Sequence, residues 1–225
     1  MGGGVIRVEF DGSAEFRRAI ELNPNYATAH HWYAEYLMWL GRLDEALQES
    51  ARARQLDPLS LIIAADRGAI LYYSRQYDRA IEQLKEVLAV DPHFGRANVI
   101  YGAYLRKGMF SEALADSDKD LNHCAADPWI CGWLAYVYGI EGRPAQARPA
   151  LEELERLDRT QYVHPDPVFT AYIALGRTDD AFRYLEKAYS ERSNVLVTLR
   201  IDPVFDPLRG DPRFHDLLLA VHLAE

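Results

Sequence analysis

The chain has 225 residues, 49% of them hydrophobic, and a formal net charge of −9. That acidic balance argues against direct binding of nucleic acid, which needs a concentrated basic surface. No stretch approaches the roughly 18 apolar residues that a membrane-spanning helix requires, and the longest apolar run, Leu59 to Ala65, is interrupted by Ser60 and followed by Asp66.

The N-terminus shows no charged-then-apolar leader, so no secretory signal is expected. Ile6 stands where a myristoylation start wants Ser or Thr. Cys124 and Cys131 do not make a disulfide framework. They are read as small buried thiols, and the reducing cytoplasm is the simplest location.

Residues 1–12 read as an irregular N-terminal flap or the remnant of a longer natural protein. Val5 to Phe10 alternates apolar and polar and could lie as an extended flap. Residues 13–26 read as a half repeat, the second helix of a pair whose first is missing. Phe16 and Ile20 are then left without a partner helix. That open end could stack on another copy of the chain, since solenoids need a capping unit.

From residue 27 the pattern becomes regular. In residues 27–60, Ala29, Tyr33, Leu37 and Leu40 recur at intervals of three and four, placing them on one helical face. Gly41 can take the left-handed conformation that ends a helix. Leu43, Ala46, Leu47, Ala53 and Leu56 make a second amphipathic helix, stopped at Asp57-Pro58. Residues 61–94, 95–126, 128–158 and 162–191 repeat the plan. Pro144 falls in a first helical turn, where its missing N–H is harmless. Pro149 predicts a distorted helix, and residues 155–165 a longer connection. Residues 192–225 form a tail with a capping helix, in which Asp211 is a good N-cap and Pro212 a good first residue.

A near-constant 34-residue step unites these pairs. It carries Asn23-Pro24 to Asp57-Pro58 and Asp91-Pro92, and it links Ala46, Ala80, Ala113, Ala147 and Ala181. The turn series Gly41, Arg75, Gly108, Gly142 and Gly176 marks the same step. With the small residues Ala34, Gly68, Gly102 and Ala135 in the first helices, the pattern resembles the tetratricopeptide repeat. The resemblance covers residues 13–191. It implies an all-α fold, a right-handed superhelical solenoid of antiparallel helix pairs. Departures are Ser50 and Ser117 where a large apolar residue is usual, Asp120 where Ala is usual, and Phe169 at a small crossing site.

The C-terminal stretch is similar to the repeat tails of large bacterial signalling proteins. It runs from Tyr162-Val163-His164-Pro165 through Leu175-Gly176 and Leu185-Glu186-Lys187-Ala188-Tyr189 to Asp202-Pro203-Val204-Phe205-Asp206-Pro207-Leu208-Arg209-Gly210-Asp211-Pro212-Arg213-Phe214. Such tails follow winged-helix regulators, class III adenylate cyclases or serine/threonine kinases. The resemblance implies an interaction or regulatory module.

In such a stack the first helix of each pair lines the concave face. Helical phase then assigns His31, Trp32, Glu35, Met38 and Trp39 to a groove, followed by Asp66, Ala69, Tyr72 and Tyr73. Arg96, Ile100, Ala103 and Lys107 come next, then Trp133, Tyr136 and Ile140. This aromatic lining predicts a contact surface for a protein or peptide partner. The alternative from the same residues is that the aromatics only pack on one another. Chaperone-binding members of the family hold acidic C-termini with basic and Asn side chains. Here the corresponding places hold His31, Glu35, Ala65, Ala69 and Val99, so no chaperone-tail binding is expected.

His30 and His31 do not face one another on a helix, and His123, Cys124 and Cys131 fit no zinc spacing. No metal and no cofactor are expected. The chain has neither a phosphate-cradling glycine loop nor a nucleophile elbow, and no enzymatic activity is expected. The primary reading is an interaction scaffold. The alternative is a ligand-sensing or regulatory tail of a larger signalling or transcription protein.

Overall fold

The computed structural model describes residues 12–115 and 127–223. Every element among them is helical. The helices are α1 (Ser13–Leu22), α2 (Ala27–Trp39), α3 (Leu43–Leu56), α4 (Leu61–Tyr73), α5 (Tyr77–Val90), α6 (Val99–Arg106), α7 (Phe110–Ala113), α8 (Pro128–Ile140), α9 (Pro144–Thr160), α10 (Pro165–Ala174), α11 (Thr178–Ser190) and α12 (Pro212–Ala220). Short 3-10 turns precede α6 at Gly95–Asn98 and occupy Asn194–Thr198 and Pro203–Leu208 in the tail. Helices pair in succession, and the first helices of neighbouring pairs pack side by side as in a solenoid.

The turn between paired helices is built the same way each time. Gly41 has φ +75°, its N–H bonds Met38 O at 2.9 Å, and Arg42 N–H bonds Leu37 O at 2.9 Å. This left-handed closure satisfies carbonyls that the helix end orphans. Arg75 takes the same role at φ 62°, although it carries a side chain. A non-glycine residue there costs on the order of 1–2 kcal/mol. What offsets it is a side-chain contact with the tail, described below.

Helices cross where side chains are small. The alanines 46, 80, 113, 147 and 181 are each no more than 1% exposed. A Cβ on Gly68 would lie 2.5 Å from Leu84 Cδ2. Between α8 and α10 the approach is closer still: a Cβ on Gly132 would meet Pro167 Cβ at 2.4 Å, and one on Gly139 would meet Ala174 Cβ at 2.8 Å. Ser50 is buried in place of an apolar residue because its hydroxyl is satisfied. It donates to Leu47 O at 3.0 Å and accepts from Arg67 Nη1 at 3.1 Å.

Some expectations change. Helix α9 runs unbroken through Pro149 to Thr160, so the longer connection anticipated at 155–165 is mostly helix. Phe16 and Ile20 are not bare, because both pack against the cluster of Tyr33, Leu37 and Met38. The Phe16 ring lies 5.8 Å from that of Tyr33 and 5.6 Å from that of Tyr36. Cys131 is fully buried as expected but is disulfide-bonded rather than free. Val5 to Phe10, Ser117, Asp120, His123 and Cys124 lie outside the described residues.

The tail does not trail away from the repeats. Ile201 is 4% exposed and joins the cluster of Tyr33, Leu37 and Ile70 from α2 and α4. Arg75 Nη1 donates to Ile201 O at 2.9 Å, and Arg75 Nη2 donates to Asp206 Oδ1 at 2.8 Å. Phe205 is fully buried, with its ring 5.8 Å from Phe169 and 6.0 Å from Phe214. The bulky Phe169 at a normally small site thus faces a tail aromatic. The segment from 194 to 208 thus touches α2 and α4 through Ile201, the turn after α4 through Arg75, and α10 through Phe205.

Candidate functional site

The sequence-assigned groove residues fall into different environments once the tail is in place. His31, Met38, Asp66, Tyr72, Ile100, Ala103 and Tyr136 are buried, so an open groove along the whole concave face is not what these residues form. Glu35, Ala69, Tyr73, Trp133 and Ile140 are half-buried. Trp32, Trp39, Arg96 and Lys107 are exposed, and Lys107 is engaged by Asp78 at 2.9 Å. The burial has a physical cause. Part of it comes from the tail, where Ile201 packs with Leu37 and Met38 of α2 and Ile70 of α4, and Tyr73 lies against the same cluster.

Two features remain on the uncovered part. One is a charged cluster on α2, α4 and the turn before α6. His31 Nε2 lies 2.6 Å from Asp66 Oδ2. Arg96 Nη1 donates to Asp66 at 2.8 and 2.7 Å and to Glu35 Oε1 at 3.2 Å. Burial, then the neighbouring Asp66 charge, push the Glu35 carboxyl above its ordinary value. Donor atoms of His31, Glu35 and Asp66 lie within 4.8 Å of one another, a spacing that a metal could use. The Arg96 guanidinium occupies the cation's place between the two carboxylates. Sequence phase assigned these four residues to one face, but their convergence on Asp66 was not legible.

The other feature is a cavity of roughly 850 Å³. Tyr72 and Tyr73 of α4, Asn98, Val99, Tyr101 and Gly102 of the 3-10 turn and α6, Ala113 of α7, and Trp129 and Trp133 of α8 line it. Pro92 and His93 of the preceding connection and Asp202 of the tail complete the lining. Gly102 is needed here, since a Cβ would lie 3.1 Å from the Tyr72 hydroxyl oxygen. Trp133 is held by its indole N–H, which donates to Ala113 O at 3.1 Å. The exposed ring of Trp129 stacks on His164 at 5.6 Å. Of the sequence-assigned residues, Tyr72, Tyr73 and Trp133 meet here. Pro92, His93, Asn98, Tyr101, Trp129 and Asp202 were missed, because they come from a loop, helix flanks and the tail.

Asp202 Oδ1 accepts from Val204 N–H at 2.8 Å and so caps the turn Pro203–Leu208. Burial pushes its carboxyl up to about 6, although Arg106 and Arg75 oppose the shift. The folded-state value lies above the ordinary 3.8, so the ionised group costs stability above pH 6. The cost disappears as the pH falls through 6 towards 4, because the folded chain then takes up the proton first. Asn keeps the capping oxygen without the charge. Asp202→Asn is therefore expected to stabilise the fold at pH 8 by about 1–2 kcal/mol, after discounting for partial exposure. At pH 4 the gain vanishes. Thermal unfolding at both pH values checks this, and an equal effect at both would assign the change to packing.

Residues 15–48 match one tetratricopeptide repeat family model, and residues 66–119 match another. Those two stretches are tetratricopeptide repeats. Hsp70-Hsp90 organizing protein 3 from Arabidopsis thaliana is 34% identical over 77 residues, covering 34% of this chain and 14% of that protein. Tetratricopeptide repeat protein 13 from Homo sapiens is 30% identical over 101 residues, covering 44% of this chain and 12% of that protein. The chain thus spans a small part of either relative's length. Among solved structures, PilW, a widely conserved type IV pilus biogenesis factor, superposes with a TM-score of 0.56 at 20% identity. The superposition covers 81% of this chain and 85% of PilW, and it supports the repeat fold alone. Among the described residues no helix is long and apolar enough to cross a membrane.

Proposed function

We propose that the chain is a non-enzymatic scaffold that holds a peptide or helix of a partner protein against the uncovered part of its concave face. The observation that carries this reading is the aromatic cavity. Tyr73, Tyr101, Trp129 and Trp133 line a space of roughly 850 Å³, large enough for several side chains. Such aromatics are the usual anchors of an interface. Repeat solenoids use their concave surfaces in this way, and the organizing-protein relatives are consistent with it. The described lining residues include no Ser, Thr, Cys or Lys nucleophile.

An acidic chaperone tail is a poor occupant. The carboxylates of Glu35 and Asp66 stand on this face, and Arg96 is already shared between them. Self-association through the N-terminal end is not part of this reading either, because Phe16 and Ile20 are engaged with α2.

A second reading is favoured by one observation. The tail stretch that resembles bacterial regulatory proteins is the stretch that Arg75 fixes to the concave face. A regulatory module of a larger signalling protein would use this arrangement to present a fixed surface to its own effector domain.

The test is capture from native cell extract with the wild type and with a Trp129→Ala, Trp133→Ala variant of matching helicity. A partner lost only from the variant is expected. A partner held equally by both would contradict the cavity as the contact site. No partner at all would shift the account to the regulatory reading.

A further inference from the structure

The cavity's polar content is uneven. Its walls are Tyr72, Tyr73, Tyr101, Trp129 and Trp133, and the formally charged side chain among its described lining is the carboxylate of Asp202. Aromatic faces carry negative quadrupoles that attract a cation, and a carboxylate beside them adds a counter-charge. The chain as a whole carries a charge of −9, which draws basic segments towards it. Arg75 and Arg106 are near enough to act on Asp202, but neither lines the cavity. Arg106 is turned to the Tyr136 hydroxyl, and Arg75 to Ile201 O and Asp206.

We infer that the cavity takes a basic side chain, arginine or lysine, of the partner segment, with Tyr and Trp faces around its stem and Asp202 as its counter-ion. This rests on the scaffold reading and names the chemistry of the bound segment. It also gives the tail a role beyond covering, since the tail supplies the acid. The groups acting on Asp202 are Tyr72 and Tyr73 on α4, Arg75 after it, Arg106 on α6, Tyr136 on α8 and Asp206 in the tail, and His93 before α6 is a further titratable group in the same lining. Burial outweighs the two arginines and raises the carboxyl to about 6. Occupancy by a cation should therefore weaken as the pH falls below that value.

The experiment is calorimetric titration of the full chain with three blocked pentapeptides, alike except at the centre. The central residues are arginine, its neutral isostere citrulline, and glutamate. At pH 7.5 the arginine peptide is expected to bind at least about tenfold more tightly than the citrulline peptide, and the glutamate peptide weakest of all. The advantage of arginine over citrulline shrinks at pH 5. Asp202→Asn, with its fold confirmed by circular dichroism, removes that advantage. Equal binding of arginine and citrulline peptides would overturn the inference while leaving the scaffold reading intact. So would the absence of binding by any of the three. The scaffold reading fails separately, if partner capture is indifferent to Trp129 and Trp133.

Discussion

Phe205→Ala is expected to destabilise the fold by about 3–5 kcal/mol, the range for deleting a buried aromatic side chain. Phe205 is fully buried between Phe169 and Phe214, with ring centroids 5.8 and 6.0 Å away. Removing it opens a void that rigid neighbours cannot fill. The effect should also reach beyond the void. Ile201 is held four residues earlier by the same tail, and it covers Tyr33, Leu37 and Ile70. Loosening the tail therefore returns apolar surface of α2 and α4 to water. Urea unfolding gives the magnitude, with the 37% exposed Val197 replaced by Ala as a tail control of small effect. A loss below about 1 kcal/mol for Phe205→Ala would mean that the tail is not part of the core.

Gly132→Ala is the second large expected effect. A Cβ at that position would lie 2.4 Å from Pro167 Cβ and 2.7 Å from both Pro167 Cα and O. Those atoms belong to the ring and backbone of a residue in the first turn of α10, so no rotamer change relieves the contact. Helices α8 and α10 must move apart, and the packing of Leu134, Val168 and Phe169 moves with them. Overpacking of this kind costs about 1–3 kcal/mol, and a backbone neighbour places this case at the upper end. Gly142→Ala separates steric from conformational effects, since a Cβ there meets nothing within 4 Å while φ is +76°. Chemical denaturation of both variants checks the order. A Gly132→Ala protein as stable as the wild type would contradict the close approach of α8 and α10.

The repeat architecture was legible because its causes are local. A left-handed residue, glycine except at Arg75, closes each turn, an alanine marks each crossing, and Asp-Pro stops a helix, and these recur at one period. Helical phase grouped side chains by face, and the group divides into buried residues such as Tyr72 and Tyr136 and exposed ones such as Trp32, Trp39, Arg96 and Lys107. The sequence could not show what those side chains meet. The tail reaches Arg75 from residues 201 and 206, across more than a hundred positions, through contacts that no period encodes. Two traces were nevertheless present. Arg75 stands alone among glycines in the turn series, and Phe169 is bulky where a small residue is usual. Each breaks a local rule, and each is compensated by the tail.

The lining of the cavity was partly legible for the same reason. Tyr72, Tyr73 and Trp133 follow from helical phase, whereas His93 lies in a connection and Asp202 in the tail. The charged cluster shows the limit from another side. Glu35, Asp66 and Arg96 were each assigned to the concave face, but the sharing of one guanidinium by two carboxylates depends on the spacing between neighbouring repeats.

The central claim is that the C-terminal segment is a fixed part of the concave face. A distance measured in solution between spin labels at Asp78, after the α4–α5 turn, and Gly210, after the tail's last 3-10 turn, tests it most directly. One short, narrow distance distribution is the predicted result, and Phe205→Ala should broaden it. A broad, long distribution in the wild type would contradict the account, because the concave face would then be open and Asp202 would not stand in the cavity.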